Sequence, residues 1–272
     1  MTSRISTQTT KRLSGTVTLI VLGACLVGAP SGARAQTADE IVKAHIAASG
    51  GEEAIARIKN FRNTGGVTVE SPLFGKLEGT IEAVRVPSRG YYERVVLGPI
   101  QQSKGWDGTR GWEQGPNGLR ILNGVELASL ATQSFGDPFV ALRALAPAGL
   151  RIERLADAEV HERPQYVLAV KTADGPTSTM YIDRQTNLLT RNTVTVTIPN
   201  VGEAPVVTDV GDYEVVAGVK MPTTVTIAVE GISTTRLTLK GTIVNTVVDA
   251  TIFTAPGGGA TSAPQAAAGE TR

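Results

Sequence analysis

The feature of this sequence that most restricts its fold is a two-residue alternation of apolar and polar side chains, repeated in several runs. In residues 193–198, valine and isoleucine occupy every second position and threonine the positions between them. Residues 224–229 follow the same pattern, with alanine in place of the third threonine. Successive side chains on a strand point to opposite faces, so this alternation predicts antiparallel strands with one buried face.

The alternation also predicts which side chains face the core. On an early run, Leu77 and Ile81 fall on one face, opposite glutamate and threonine. On the last run, Leu237, Leu239 and Ile243 are predicted to share the buried face. Short segments containing Asp-Gly or Asn-Gly separate the runs, as expected for hairpins.

Two short helices are predicted before the strands begin. Thr37 and Glu40 have the spacing of a capping box, in which the threonine caps the helix and the glutamate reaches back. Apolar residues then recur at helical spacing, and the Ser-Gly-Gly sequence at 49–51 predicts the helix end. A second helix is predicted over residues 52–59.

Another helix pair is predicted between the early and the late strands. Asn123 is expected to cap its first helix, with Glu126 completing a capping box. Asp137 followed by Pro138 predicts the start of the second helix, which should end before Pro147. The order of helix pairs and strand groups is typical of an α+β fold.

We predict one long curved antiparallel sheet, an incomplete β-barrel, with helices lidding its concave apolar face. The runs amount to roughly nine or ten strands and about four short helices, and a sheet of this width tends to curl. So few helices would leave the concave side partly unfilled, which predicts an apolar hollow. The alternative is a solid core without a hollow.

The first 35 residues have the features of a secretory signal peptide. They carry four basic residues and no acidic one, a mostly apolar run over residues 13–27, and the small-x-small pattern Ala-Arg-Ala at 33–35. Cleavage after that pattern would release the chain into the periplasm. Two alternatives stay open: an uncleaved membrane anchor, and a lipobox at Cys25 whose acylation would anchor the protein.

The charge and the cysteine content limit the classes of function that this chain can have. The chain has 26 basic and 25 acidic residues, and loss of the four basic residues of the signal peptide leaves an excess of three acidic charges. A charge so near zero argues against nucleic acid as a partner. The only cysteine, Cys25, lies in the signal peptide. We therefore expect a signal peptide at 1–35, one folded domain at 36–256 and a flexible tail at 257–272.

The residues needed for common enzyme chemistry are scarce. His45 and His161 are the two histidines, and each is expected to be structural. The G-x-S-x-G elbow of serine hydrolases and the H-E-x-x-H motif of zinc proteases do not occur. We therefore predict a non-catalytic protein with no cofactor and no metal site.

Several strand and turn motifs follow one another along the chain. They are residues 38–42 (ADEIV), 50–51 (GG), 58–59 (IK), 105–112 (GWDGTRGW), 181–189 (YIDRQTNLL), 218–222 (GVKMP) and 253–256 (FTAP). Together they resemble the outer-membrane lipoprotein-sorting superfamily, which includes a periplasmic lipoprotein carrier, its receptor and envelope-stress sensors. The resemblance implies a helix-lidded half-barrel that holds acyl chains in an apolar cavity. An arginine on an early strand matters in the carrier, but no motif identifies its equivalent among Arg62, Arg85 and Arg94.

This resemblance predicts a monomeric periplasmic binding protein for a lipid or the acyl chains of a lipoprotein. The alternative is an envelope-stress sensor or structural domain of the same fold that binds an envelope protein partner. Aromatic residues are expected to line the hollow or its mouth, or to be ordinary core, and apolar residues of the central helix pair are expected to form the inner face of the lid. The residues expected at the cavity or lid are Tyr91, Trp106, Trp112, Leu127, Leu130, Phe135, Phe139 and Leu142.

Overall fold

The computed structural model describes residues 36–135, 138–145, 150–171, 177–198 and 202–257, with only the backbone described for residues 125 and 142–145. The predicted signal peptide, the cap at Asp137, the helix end before Pro147 and nearly all of the predicted tail lie outside the described residues. No described helix has the length and apolar character needed to cross a membrane.

The described residues form fourteen strands, four α-helices and one 3-10 helix. The helices are α1 (Ala38–Ala48), α2 (Glu52–Arg57), α3 (Gly124–Gln133), α4 (Pro138–Leu145) and the 3-10 helix (Ala250–Phe253). The first eight strands are β1 (Phe61–Ser71), β2 (Gly75–Val86), β3 (Gly90–Leu97), β4 (Ile100–Trp106), β5 (Gly111–Gly115), β6 (Gly118–Leu122), β7 (Arg151–Arg154) and β8 (Ala158–Val160). The others are β9 (Arg163–Lys171), β10 (Ser178–Asp183), β11 (Leu189–Ile198), β12 (Gly202–Val216), β13 (Val219–Val229) and β14 (Ser233–Val244).

All strands belong to one antiparallel sheet that does not close into a barrel. The order across the sheet is β6-β5-β4-β3-β2-β1-β14-β13-β12-β11-β10-β9-β7, and β8 also pairs with β9. The predicted α+β fold with a long curved sheet is confirmed. The predicted strand count of nine or ten was too low, because the four strands β5, β6, β7 and β8 are only three to five residues long and carry little periodic signal.

Helix α1 forms as its sequence predicts. The Thr37 hydroxyl accepts a hydrogen bond from the Glu40 amide at 3.3 Å, and the Glu40 carboxylate accepts one from the Thr37 amide at 2.7 Å. Helix α1 buries Ile41, Val42 and Ile46 against β9, β10 and β11. Each such side chain removed from water contributes about 1.5–3 kcal/mol, so packing on the sheet stabilises this short helix more than its cap does.

The predicted capping box of α3 does not form. The Asn123 side chain makes no capping hydrogen bond, and the helix begins through Gly124 in the left-handed region, at φ 56°. The Glu126 carboxylate instead accepts a hydrogen bond at 2.7 Å from the Arg120 guanidinium of β6. Because this carboxylate binds Arg120, it does not reach back to the Asn123 amide, and the capping box stays open.

The predicted burial of β14 is wrong after Leu239, because the strand contains a bulge. Thr64 pairs with Gly241, whereas the next residue, Gly65, pairs with Leu239, so Lys240 has no partner on β1. Each residue after Lys240 therefore lies on the opposite face of the sheet from the one that strict alternation predicts. Ile243 is 52% exposed. Thr242 faces inward, where its hydroxyl accepts a hydrogen bond at 2.7 Å from the side-chain amide of Asn63.

Candidate functional site

A cavity of about 1400 Å³ lies between the helices and one end of the sheet. Drug-sized ligands occupy pockets of about 300–1,000 Å³, so this space can take a larger guest. It is next to the turns that join β2 to β3, β4 to β5 and β12 to β13. The hollow predicted from the surplus of strands over helices is therefore present.

Apolar side chains from four parts of the chain make up most of the wall. The helices and the segment between α3 and α4 contribute Ile46, Ile55, Ile58, Phe135 and Val140. The strands contribute Phe61, Leu189, Val210, Val219 and Met221, and the segment after β14 contributes Val248 and Phe253. A wall of this composition favours hydrocarbon over a polar solute.

His45 is the only histidine in this wall, and its ring is packed in place. It is 2% exposed. Its Nδ1 lies 2.9 Å from the carbonyl oxygen of Asn187, and its ring centroid lies 5.2 Å from that of Phe139. The other histidine, His161, is exposed and lies 3.5 Å from the Asp209 carboxylate. Among the described residues, no three His, Cys, Asp or Glu side chains come together as a potential metal site.

The predicted site residues fall into separate places. Phe135 lies in the cavity wall. Tyr91, Trp106 and Leu130 instead form a buried cluster beneath α3, and Leu127 packs against it half-buried. These four residues do not line the cavity. Whether any of them contacts a ligand stays a prediction.

The three remaining predicted site residues do not lie together in one place either. Phe139 is 1% exposed and belongs to the core between α1 and the late strands. Trp112 lines a different, more polar hollow beside the segment after β14, and its indole N–H donates to the Phe253 carbonyl at 2.7 Å. The side chain of Leu142 lies outside the described residues.

Several wall residues were missed by sequence analysis, including Phe61, Val210 and Met221. They lie on β1, β12 and β13, and only the pairing of β1 with β14, of β14 with β13 and of β13 with β12 brings them together. Phe253 was noted only as part of the motif near the end of the chain. Alternation identifies them as apolar positions on a strand, but it does not reveal which part of a face the helices leave uncovered.

A charged network lies beneath α3. The Tyr91 hydroxyl donates to the Glu93 carboxylate at 2.6 Å, and the Lys104 ammonium lies 3.0 Å from that carboxylate. Burial raises the pKa of Tyr91 well above its ordinary value. Burial acts to raise the pKa of Glu93, but the Lys104 charge and the hydrogen bonds from both partners outweigh it and lower that pKa. Burial likewise acts to lower the pKa of Lys104, and its interactions with Tyr91 and Glu93 raise it instead.

Arg85 joins this face of the sheet to α3. Its Nε donates to the Gln133 carbonyl at 3.0 Å, and its Nη1 donates to the Asn63 side-chain oxygen at 2.6 Å. Its guanidinium also lies 5.4 Å from the ring centroids of Phe61 and Tyr91. Arg85 therefore ties the last turn of α3 to β1 and β2, next to a residue of the cavity wall.

The rim of the cavity carries both signs of charge. Lys59, Arg89 and Lys220 contribute cations, while Glu52 and Asp107 contribute carboxylates. The Asp107 Oδ1 atom accepts hydrogen bonds from two backbone amides of its own turn, at 2.9 and 2.7 Å. The charged side chains of the lining are exposed, and the arrangement can hold an apolar chain with a polar end outside.

Solved structures of other proteins contain the same fold. A LolA superfamily protein from Nitrosomonas europaea gives a TM-score of 0.56 at 11% identity, covering 81% of this chain and 99% of that protein. A DUF1329 family protein from Desulfovibrio piger gives 0.54 at 8% identity, covering 81% and 98%. A putative outer membrane lipoprotein-sorting protein domain from Vibrio parahaemolyticus gives 0.49 at 11% identity, covering 77% and 93%.

The comparisons with the Nitrosomonas europaea and Desulfovibrio piger proteins establish a shared fold. The fold expected from the sequence resemblance is thereby confirmed. No protein-family model matches the chain, and no curated protein matches it in sequence.

Proposed function

We propose that this protein is a non-catalytic, monomeric binding protein of the periplasm that holds a lipid, or the acyl chains of a lipoprotein, in the cavity beneath its helices. The observation that carries the proposal is the cavity of about 1400 Å³ with its largely apolar wall. The features of residues 1–35 support export. A LolA superfamily protein shares the fold, and the resemblance of the sequence motifs to the lipoprotein-sorting superfamily is consistent with such a cargo.

The size of the hydrophobic effect explains why an enclosed site is needed. Each methylene group removed from water contributes about 0.8 kcal/mol. A chain of 14 to 16 carbons would therefore cost on the order of 11 kcal/mol in water. Isolated apolar residues on a surface cannot offset that cost, whereas a cavity that surrounds the chain can.

The first experiment is native mass spectrometry of the protein purified from cells, followed by extraction of bound amphiphiles. We expect a co-purifying lipid or acylated peptide. Repeated recovery of a stable protein partner and no amphiphile would contradict the proposal and favour the envelope-sensor alternative.

A cavity-filling variant makes the test specific. Val210 lies in the wall, and Val210→Trp should reduce binding of a fluorescent acyl probe by about tenfold or more, because the indole occupies the space of the chain. The matched control is Val215→Trp on the same strand, where the parent side chain is 67% exposed. If Val210→Trp does not fold, Ala56→Trp fills the same cavity from α2. Undiminished binding by a folded filling variant would place the ligand elsewhere.

A further inference from the structure

Three cations at the cavity rim are held by different elements. Lys59 follows α2, where its backbone amide donates to the Asn245 side chain at 2.7 Å. Lys220 is near the start of β13, where its amide donates to the Ser49 carbonyl at 2.9 Å. Arg89 lies in the turn between β2 and β3, and its amide donates to the Val86 carbonyl at 2.9 Å. The backbone at each position is therefore fixed, while the charged side chains are exposed.

These cations have no carboxylate partner among the described residues. The Lys59 ammonium donates at 2.9 Å to the Ala56 carbonyl at the end of α2. Arg89 and Lys220 make no side-chain hydrogen bond or ion pair within the described chain. Some other exposed cations have such partners, for example Lys76, which lies 2.6 Å from Glu78, whereas Arg236 and Lys240 on β14 have none among the described residues.

Among the described residues, neither carboxylate at the rim forms an ion pair with these cations. Asp107 binds the amides of Thr109 and Arg110 within its own turn. Glu52 lies in the first turn of α2, where a negative charge is favoured by the helix dipole. Three cations thus lie at the opening of an apolar cavity with no ion pair to a carboxylate of the described residues.

We propose that the ligand is an anionic amphiphile, whose hydrocarbon chain occupies the cavity and whose carboxylate or phosphate monoester binds at Lys59, Arg89 and Lys220. This inference rests on the proposed function, because it assigns the polar end of the ligand in the same cavity. Charge-assisted bonds from ammonium and guanidinium groups to carboxylate or phosphate are the strongest available at such a rim. A ligand with an uncharged head group would bury its chain in the cavity but would form no charge-assisted bond at the rim.

The test compares ligands that differ only at the polar end. The delipidated full-length protein is loaded with a fluorescent alkyl alcohol, which is then displaced by dodecanoate, dodecyl phosphate or dodecanol. At low salt we expect at least one of the two anions to displace the probe at about tenfold lower concentration than dodecanol. The advantage should shrink in about 0.5 M salt, because screening weakens exposed charge pairs.

Charge-removal variants identify the residues responsible. The triple variant Lys59→Gln, Arg89→Gln, Lys220→Gln should lose the advantage of the anion and keep the affinity for dodecanol. The control variant Lys76→Gln, Arg236→Gln, Lys240→Gln removes the same charge away from the cavity and should retain the advantage. Preference for only one of the two anions would still support the proposal and would identify the source as a fatty acid or a phosphate ester.

The outcomes separate the two proposals. If the alkyl alcohol probe does not bind, the proposed function fails. If the probe binds but the anions gain nothing over dodecanol, or if the rim variant keeps their advantage, only the anionic head group is overturned.

Discussion

Gly90 has no side chain, and a ring of the cavity wall packs in the space that a side chain would occupy. A Cβ at this residue would lie 2.6 Å from the ring of Phe253, so the glycine leaves the space that the ring occupies. The Trp112 indole N–H donates a hydrogen bond to the Phe253 carbonyl at 2.7 Å. Together these contacts fix the segment after β14, which contributes Val248 and Phe253 to the cavity.

We expect Gly90→Ala to lower the free energy of unfolding by about 1–3 kcal/mol, because the added methyl overlaps a packed ring. The control is Gly211→Ala on β12, where no atom lies within 4 Å of the added Cβ. Its free energy of unfolding should stay within about 0.5 kcal/mol of the parent value. Urea denaturation of both variants provides the measurement, and equal stabilities would refute the packing explanation.

Glu93 should make the protein sensitive to acid. Its pKa in the folded state is held below the ordinary value of 4.5, so the unfolded state takes up a proton first as the pH falls. The stabilisation by Glu93 is therefore fully present above pH 4.5 and is lost as the pH falls through the folded-state pKa. The same network that stabilises α3 against the sheet thus weakens in acid.

We expect Glu93→Gln to reduce the acid dependence of the free energy of unfolding, so that variant and parent converge below about pH 4.5. Urea titrations between about pH 3 and 7 would show this. Glu214→Gln, at an exposed position of β12, is the control and should keep the parent's acid slope. A Glu93→Gln variant with that same slope would contradict the assignment.

At the scale of elements, α3 is attached to the sheet by both apolar packing and hydrogen bonds. Tyr91, Trp106 and Leu130 provide its apolar packing. Arg85 adds a hydrogen bond to the Gln133 carbonyl at 3.0 Å. Because one side chain joins the end of the helix to two strands, its removal should loosen α3 before it affects the sheet.

We expect Arg85→Met to increase amide hydrogen exchange in α3 by about tenfold or more, since hydrogen bonds to charged groups contribute about 1.5–3 kcal/mol. Exchange in β1 and β14 at the centre of the sheet should change much less. Arg94→Met is the control, because Arg94 is exposed and donates to the Gln101 side chain on the neighbouring strand. Unchanged exchange in α3 would show that Arg85 does not hold the helix.

The elements also show where sequence prediction succeeds locally. The cap of α1 was predicted because Thr37 and Glu40 are three residues apart and bond to each other in both directions. The cap of α3 failed because Glu126 has a competing partner, Arg120, on a neighbouring element. A local rule thus fails where another element supplies a partner for one of its groups.

At the scale of the whole molecule, the cavity follows from the balance between sheet and helices. Fourteen strands in one open sheet present more apolar area than four short helices cover. Apolar packing under α1, α2 and α3 is divided into three separate clusters. The space left at one end of the sheet is the proposed ligand site.

The sequence by itself determined the fold class, the antiparallel pairing, the cap of α1 and the expectation of a hollow. These features depend on periodicity and on neighbours a few residues apart. Only the tertiary structure decided that Ile243 is exposed, that Tyr91 and Trp106 pack beneath α3, and that the wall contains Phe61 and Met221. The physical reason is that one bulge exchanges the two faces of a strand, and that a cavity wall is assembled from strands paired across more than a hundred residues of chain.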